Sequence, residues 1–101
     1  MSGIIKEKRE VLKMRVVTIA EDNHGQIGIA KTYADAVHFL VEENWLSELT
    51  EVIKPDETET TVIQDLGEEW FAKMLDWSME QFCDYFEGCF YLRSESVYEV
   101  V

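Results

Sequence analysis

Apolar residues in this chain recur with a spacing of two, then three and four, then two again, and each change of period marks an element. Val16-Val17-Thr18-Ile19-Ala20 and Gln26-Ile27-Gly28-Ile29-Ala30 are β-prone runs with period-two alternation. Between them lies Glu21-Asp22-Asn23-His24-Gly25, in which Asn and Gly tolerate the positive φ that a tight turn requires. The pattern predicts a hairpin over 15–32. Val17 shares a face with Ile19, and Ile27 with Ile29, while Gly28 and Ala30 leave the opposite face thin. Thr32 then caps a helix, with Asp35 at its third position completing an imperfect capping box. Tyr33, Ala36, Val37, Leu40 and Val41 fall on one side of that helix. Phe39 falls on the polar side and is out of place. The helical pattern frays at Asn44-Trp45-Leu46-Ser47.

Leu49 to Ile53 and Thr60 to Ile63 are rich in β-branched residues and read as short strands or extended segments joined across Lys54-Pro55-Asp56-Glu57. From Asp65 the helical period returns. Asp65, Glu68 and Glu69 place acids at a helix N-terminus, and Leu66, Trp70, Phe71, Met74 and Leu75 form its apolar stripe. Ser78-Met79-Glu80-Gln81 is a second capping box, so the helix breaks near Trp77 and another begins. The new stripe is Met79, Phe82, Cys83 and Phe86, closed by Gly88 as a left-handed C′ residue. Cys89 to Val100 alternates again, with Phe90, Leu92 and Tyr98 on one side and Tyr91, Arg93, Glu95 and Glu99 on the other. The predicted fold is α+β: the hairpin and the C-terminal strand form a small antiparallel sheet, covered on one face by two to three helices. Residues 15–101 form the single domain. Two readings compete for residues 1–14, a short helix with Ile4, Ile5, Val11 and Leu12 on one face, or a loosely ordered basic arm.

Charge changes the picture from fold to partner. The 101 residues carry a formal net charge of −12. Between Glu42 and Glu87 there are fourteen acids against two bases, Lys54 and Lys73, which accounts for the whole excess. The first fifteen residues are basic, with five cations against two acids, so residues 16–101 carry −15. A one-signed surface repels DNA and anionic lipid and attracts a basic partner. At 47% hydrophobic and 12% aromatic, the chain is too apolar to be a disordered acidic tail. Its apolar runs are too short to span a membrane, and its start lacks the apolar segment of a secretory signal. Two cysteines make no disulfide framework, so a reducing cytoplasm is expected. Oligomeric state is not legible in the sequence.

Candidate chemistry is sparse. His24 sits in the hairpin turn and His38 on a helix flank, and neither joins the cysteines in a metal-ligand spacing. Cys83 belongs to a helix stripe and Cys89 to the start of a strand, with no base placed beside either by the sequence. Acidic pairs such as Glu42-Glu43, Asp56-Glu57 and Glu68-Glu69 read as solvated faces, because acid–base catalysis needs buried, shifted members. There is no calcium-loop pattern and no phosphate-cradling glycine loop. The expectation is a protein without enzymatic activity, cofactor or metal. One constellation points to binding, the interleaving of acids and aromatics in Glu68-Glu69-Trp70-Phe71, Asp76-Trp77 and Asp84-Tyr85-Phe86-Glu87. Carboxylates at that density imitate a phosphate backbone, and Trp77 and Tyr85, outside the main stripes, are free to anchor a partner. The predicted partner-binding set is Glu42, Glu43, Glu68, Glu69, Asp76, Trp77, Glu80, Asp84, Tyr85 and Glu87.

A short hairpin, then Thr32-Tyr33-Ala34-Asp35-Ala36 opening an amphipathic helix, then acidic helices rich in Trp and Phe, resembles in style the small acidic proteins encoded by bacteriophages and prophages. Among these, the chain is similar in character to the nucleic-acid-mimicking anti-CRISPR proteins. That resemblance spans the whole chain as a style and transfers no site residue. It implies a non-enzymatic inhibitor that occupies the basic channel of a CRISPR effector nuclease or another nucleic-acid-handling host protein. Alternatives of the same charge logic are an immunity protein or antitoxin neutralising a basic toxin. A further alternative is a small phage structural or assembly protein.

Overall fold

The computed structural model describes residues 11–100. Its elements are β1 (Val11–Glu21), β2 (Gly25–Ala30), α1 (Tyr33–Glu42), β3 (Glu51–Ile53), β4 (Glu59–Thr61), α2 (Val62–Leu66), α3 (Trp70–Leu75), α4 (Met79–Tyr85) and β5 (Phe90–Val100). An antiparallel sheet of order β2-β1-β5 carries the helices on one face, and β3 pairs with β4 in a separate two-stranded hairpin. The fold is the α+β sandwich that the alternating and helical periods predict. None of the described helices is long and apolar enough to cross a membrane.

The core forms where the sheet's inner face meets the helices. Val17 and Ile19 of β1 and Phe90 and Leu92 of β5 are buried against Val37 and Leu40 of α1, Met74 of α3 and Phe82 of α4. Phe82, Phe86 and Phe90 stack in sequence, with ring centroids 4.7 and 5.5 Å apart at successive steps. Tyr33 donates to the Met74 carbonyl at 2.6 Å, tying the start of α1 to α3.

The β2 reading needs correction. Register shifts between Ile19 and Ala20 of β1, so Ile19 opposes Gly28 and Ala20 opposes Gln26, which leaves Ile27 in the irregularity. Ile27 packs at the core margin, whereas Ile29 opposes Thr18 on the outer face and is exposed. The two isoleucines therefore do not share a face. The thin face of Gly28 and Ala30 is the one the helix covers, and the Phe39 ring lies on Gly28, 2.6 Å from where a Cβ would stand. The misplaced aromatic of the helix fills the gap left by the glycine of the strand.

Three boundaries also move. β1 starts at Val11, so residues 11–14 pair with 97–100 of β5 and are strand; the arm or helix expected for residues 1–10 lies outside the described residues. Val62 and Ile63 leave the extended segment for α2, which Thr61 caps through a bond from the Gln64 amide. Asp65 does not open a long helix but sits near the end of α2; Gly67, at φ 87°, breaks the chain before α3. Among the described residues four short helices replace the two to three expected. The Thr32 cap and the Ser78–Gln81 capping box are as the sequence predicts; Gly88 has the predicted positive φ but stands one residue beyond C′, because α4 ends at Tyr85 with Phe86 as its cap.

The last β1–β2 pair is Val17 with Ala30, so Val11–Val16 and Glu95–Val100 continue as a two-stranded ribbon. At about 3.3 Å per residue it extends roughly 20 Å past β2. Cross-strand partners share a face, which places Tyr98 with Phe90 and Leu92 as predicted, but Tyr98 lies on the ribbon beyond the helices and is exposed. On the sheet's other face Met14, Ile29, Tyr91 and Val97 are exposed, while Val16, between Met14 and Thr18, is buried.

Candidate partner-binding groove

The C-terminal half builds its site from α4. Ser78 accepts a bond from the Gln81 amide, and the Gln81 side chain accepts one back from the Ser78 amide. This box fixes the first turn. With Phe82 turned into the core, Gln81, Asp84 and Tyr85 line the opposite flank. Trp77, just before the cap, meets Tyr85 with ring centroids 4.9 Å apart. Tyr85 in turn lies edge-on to the buried Phe86 at 4.9 Å, so the aromatic pair is anchored to the core.

Facing this flank is β3. A groove of about 700 Å³ separates the two, with Val52, Ile53, Lys54 and Pro55 forming one wall and Trp77, Gln81, Asp84, Tyr85 and Glu87 the other. Asp65 of α2 joins the walls from below. One carboxylate oxygen accepts from Lys54 Nζ at 2.8 Å, and the other from the Tyr85 hydroxyl at 2.7 Å. Those two bonds, that from Lys54 foremost, hold the Asp65 carboxyl below the ordinary carboxylate range. Burial, reinforced by the bond to Asp65, pushes the Tyr85 phenol upward, so it stays protonated and donating. Lys54, the one cation lining the groove among the described residues, is thereby neutralised by Asp65.

Asp84 and Glu87 are exposed on the rim and form no ion pair among the described residues. The same holds for every acid between Glu42 and Glu87 except Asp65. An aromatic pair beside carboxylates that are unpaired among the described residues suits a cation with an apolar or planar body: a guanidinium stacks on the rings and forks onto a carboxylate.

The predicted binding residues divide in space. Trp77, Asp84, Tyr85 and Glu87 converge on the groove. Glu80 is exposed on α4 one turn before Asp84 and extends the same acidic flank. Glu42 and Glu43 end α1 at a separate depression beside Lys31, His38 and Phe39. Glu68, Glu69 and Asp76 are exposed at the ends of α3 and line neither cavity. Sequence reasoning missed the β3 wall and the Asp65 strut. The signal available was the apolar Ile53 two residues before Pro55, which the structure leaves exposed, and its meaning depended on a contact across more than twenty residues.

The remaining polar candidates have structural roles. His24 bonds Glu21 and stands edge-on to Trp45, with centroids 5.0 Å apart; His38 does the same to Phe71 at 4.9 Å. Cys83 Sγ lies 3.4 Å from both the amide nitrogen and the carbonyl oxygen of Leu92, on the outer edge of β5. Cys89 is exposed as a residue, and partial burial of its sulfur, reinforced by the Glu21 and Asp22 charges, pushes its thiol up. No cluster of three or more metal-ligating side chains occurs among the described residues. Comparison with protein-family models, with curated proteins and with solved structures finds no match to this chain, so the reading of the groove rests on its own geometry.

Proposed function

We propose that this is a non-enzymatic acidic binding protein that engages a basic, nucleic-acid-handling partner, with the groove between β3 and α4 as its grip. The observation that carries this reading is the Trp77–Tyr85 pair lining one groove with Asp84 and Glu87, two carboxylates without an ion-pair partner among the described residues, in a chain of net charge −12. The wide acidic surface supplies long-range attraction and a fast encounter. The groove supplies the short-range contact that fixes register, since aromatic anchors in a partly desolvated site hold most of an interface's energy. In its most specific form the proposal is a phage-encoded inhibitor of anti-CRISPR character, whose carboxylates occupy a channel built for phosphates.

Affinity capture from a bacterial host extract with the full chain as bait tests this. The expected result is enrichment of a basic nucleic-acid-binding protein that is released by added DNA or RNA. Raising salt from about 50 to about 200 mM weakens the capture sharply, because such an interface is screened. Trp77→Ala and the pair Asp84→Asn with Glu87→Gln reduce capture more than Glu68→Gln with Glu69→Gln, which lie off the groove. Capture that is indifferent to salt and to the groove variants refutes the proposal. A basic toxin as the captured species turns the same surface into that of an antitoxin.

A further inference from the structure

The groove follows a strand edge. Lys54 donates its amide to the Thr58 carbonyl and the Thr50 carbonyl accepts from the Val62 amide, so these residues of the β3 segment turn their backbone groups toward β4. Val52, opposite Thr60, does the same by the alternation of an antiparallel ladder. Glu51 and Ile53, between them, therefore aim their N–H and C=O groups the other way. No strand pairs with that side of β3, and neither residue has another backbone partner among the described residues. No residue of β4 lines the groove, so the cavity lies on the side of β3 away from β4.

We infer that the groove accepts an extended, cationic segment of the partner protein as a third strand on β3. This deepens the acidic-groove reading above and rests on it. Ile53 offers its two ladder groups within the groove, Glu51 offers two more just beyond the groove's lining, and Pro55, with no N–H, ends the template. Side chains of an added strand alternate, which lets one set lie on Trp77 and Tyr85 while its cations reach Asp84 and Glu87 across the groove. Charge selects the occupant: Lys54 is already bound by Asp65, and the free carboxylates at the rim reject an acidic strand and favour arginine. Main-chain bonds supply affinity without demanding a particular sequence, and the aromatic pair and acidic rim supply selectivity.

The probe is a fluorescent octapeptide of alternating arginine and valine, titrated against the full chain by anisotropy, with amide hydrogen exchange followed at Glu51 and Ile53. Two further peptides carry N-methyl groups on either the arginines or the valines. One of the two loses roughly tenfold or more in affinity and the other does not, because only one set of amides faces β3. Binding of the parent slows exchange at Glu51 and Ile53. In the protein, Ile53→Pro weakens binding while Ile53→Ala retains it within about threefold. The amide removed by proline has no backbone partner among the described residues, so the fold persists; should circular dichroism show otherwise, the methylated peptides decide the matter on the unaltered protein. If both methylated peptides bind like the parent, yet Trp77→Ala and the Asp84/Glu87 pair still abolish binding, strand addition is overturned and the acidic groove stands. If binding ignores those groove variants as well, the reading beneath it falls too.

Discussion

Gly28 and Phe39 show how a single residue's oddity resolves only in its partner. Each is anomalous alone: a glycine inside a strand costs packing and backbone entropy, and a phenylalanine on the polar side of a helix is exposed. Together they are complementary, since a Cβ on Gly28 would meet three Phe39 ring carbons at 2.6, 2.8 and 3.0 Å. Both anomalies are legible in the sequence. Their pairing is not, because it depends on the register shift after Ile19, and a slip of one residue sends every side chain of β2 to the other face. Gly28→Ala is therefore expected to destabilise the fold by about 1–3 kcal/mol through overpacking. Combined with Phe39→Leu it costs less than the sum of the two single changes. Urea unfolding with an unchanged m-value measures this, and simple additivity would deny the contact.

Among elements, Asp65 decides the groove's shape, because it ties α2 both to Lys54 beyond β3 and to Tyr85 at the end of α4. Its carboxylate is more acidic in the folded state than in the unfolded chain. Such a group contributes stability that is complete above its unfolded value, about 3.9, and is lost as pH falls through its lower folded value. Asp65→Asn is expected to cost about 1 kcal/mol at neutral pH, since the Lys54 end is solvated, and the difference from the unaltered protein should shrink below about pH 4. A difference that stays constant from pH 7 to pH 2 removes the ion pair from the account. The element pattern around this strut was partly legible. Caps at Thr32 and Ser78 act through neighbours a few residues away, and the period-two and period-three-and-four stripes named every strand of the main sheet and the helix that opens the groove. The helix predicted from Asp65 onward failed because Leu66, Trp70 and Met74 keep a helical spacing across Gly67, whose φ of 87° interrupts the backbone between them. The β3 segment itself was legible, since the β-branched run Leu49–Ile53 reads as extended, but its role as a groove wall was not, because its open edge is defined only by there being no strand beside it among the described residues.

Over the whole molecule the charge is spread as well as large. Exposed acids stand on α1, on the β3–β4 hairpin, at both ends of α3 and along α4, and of the fourteen between Glu42 and Glu87 only Asp65 is ion-paired among the described residues. Folding brings these like charges closer together than they are in the extended chain, so they oppose compaction at low ionic strength. The proposed binding surface gives these acids a use, since Asp84 and Glu87 line the same groove as the Trp77–Tyr85 pair. The cost falls on the free protein. Screening reduces it, with the Debye length falling from about 30 Å at 0.01 M salt to about 8 Å at 0.15 M. Across that range the thermal midpoint is expected to rise by several degrees, where a neutral domain of this size would barely respond. Asp84→Asn with Glu87→Gln should raise the low-salt midpoint and flatten the dependence while weakening capture of the partner, since the same carboxylates cause both effects. A midpoint that falls as salt is added would mean that favourable ion pairs outweigh repulsion and that the acids are held for the fold. Equal midpoints for the two proteins at low salt would place the repulsion elsewhere on the surface, away from the groove.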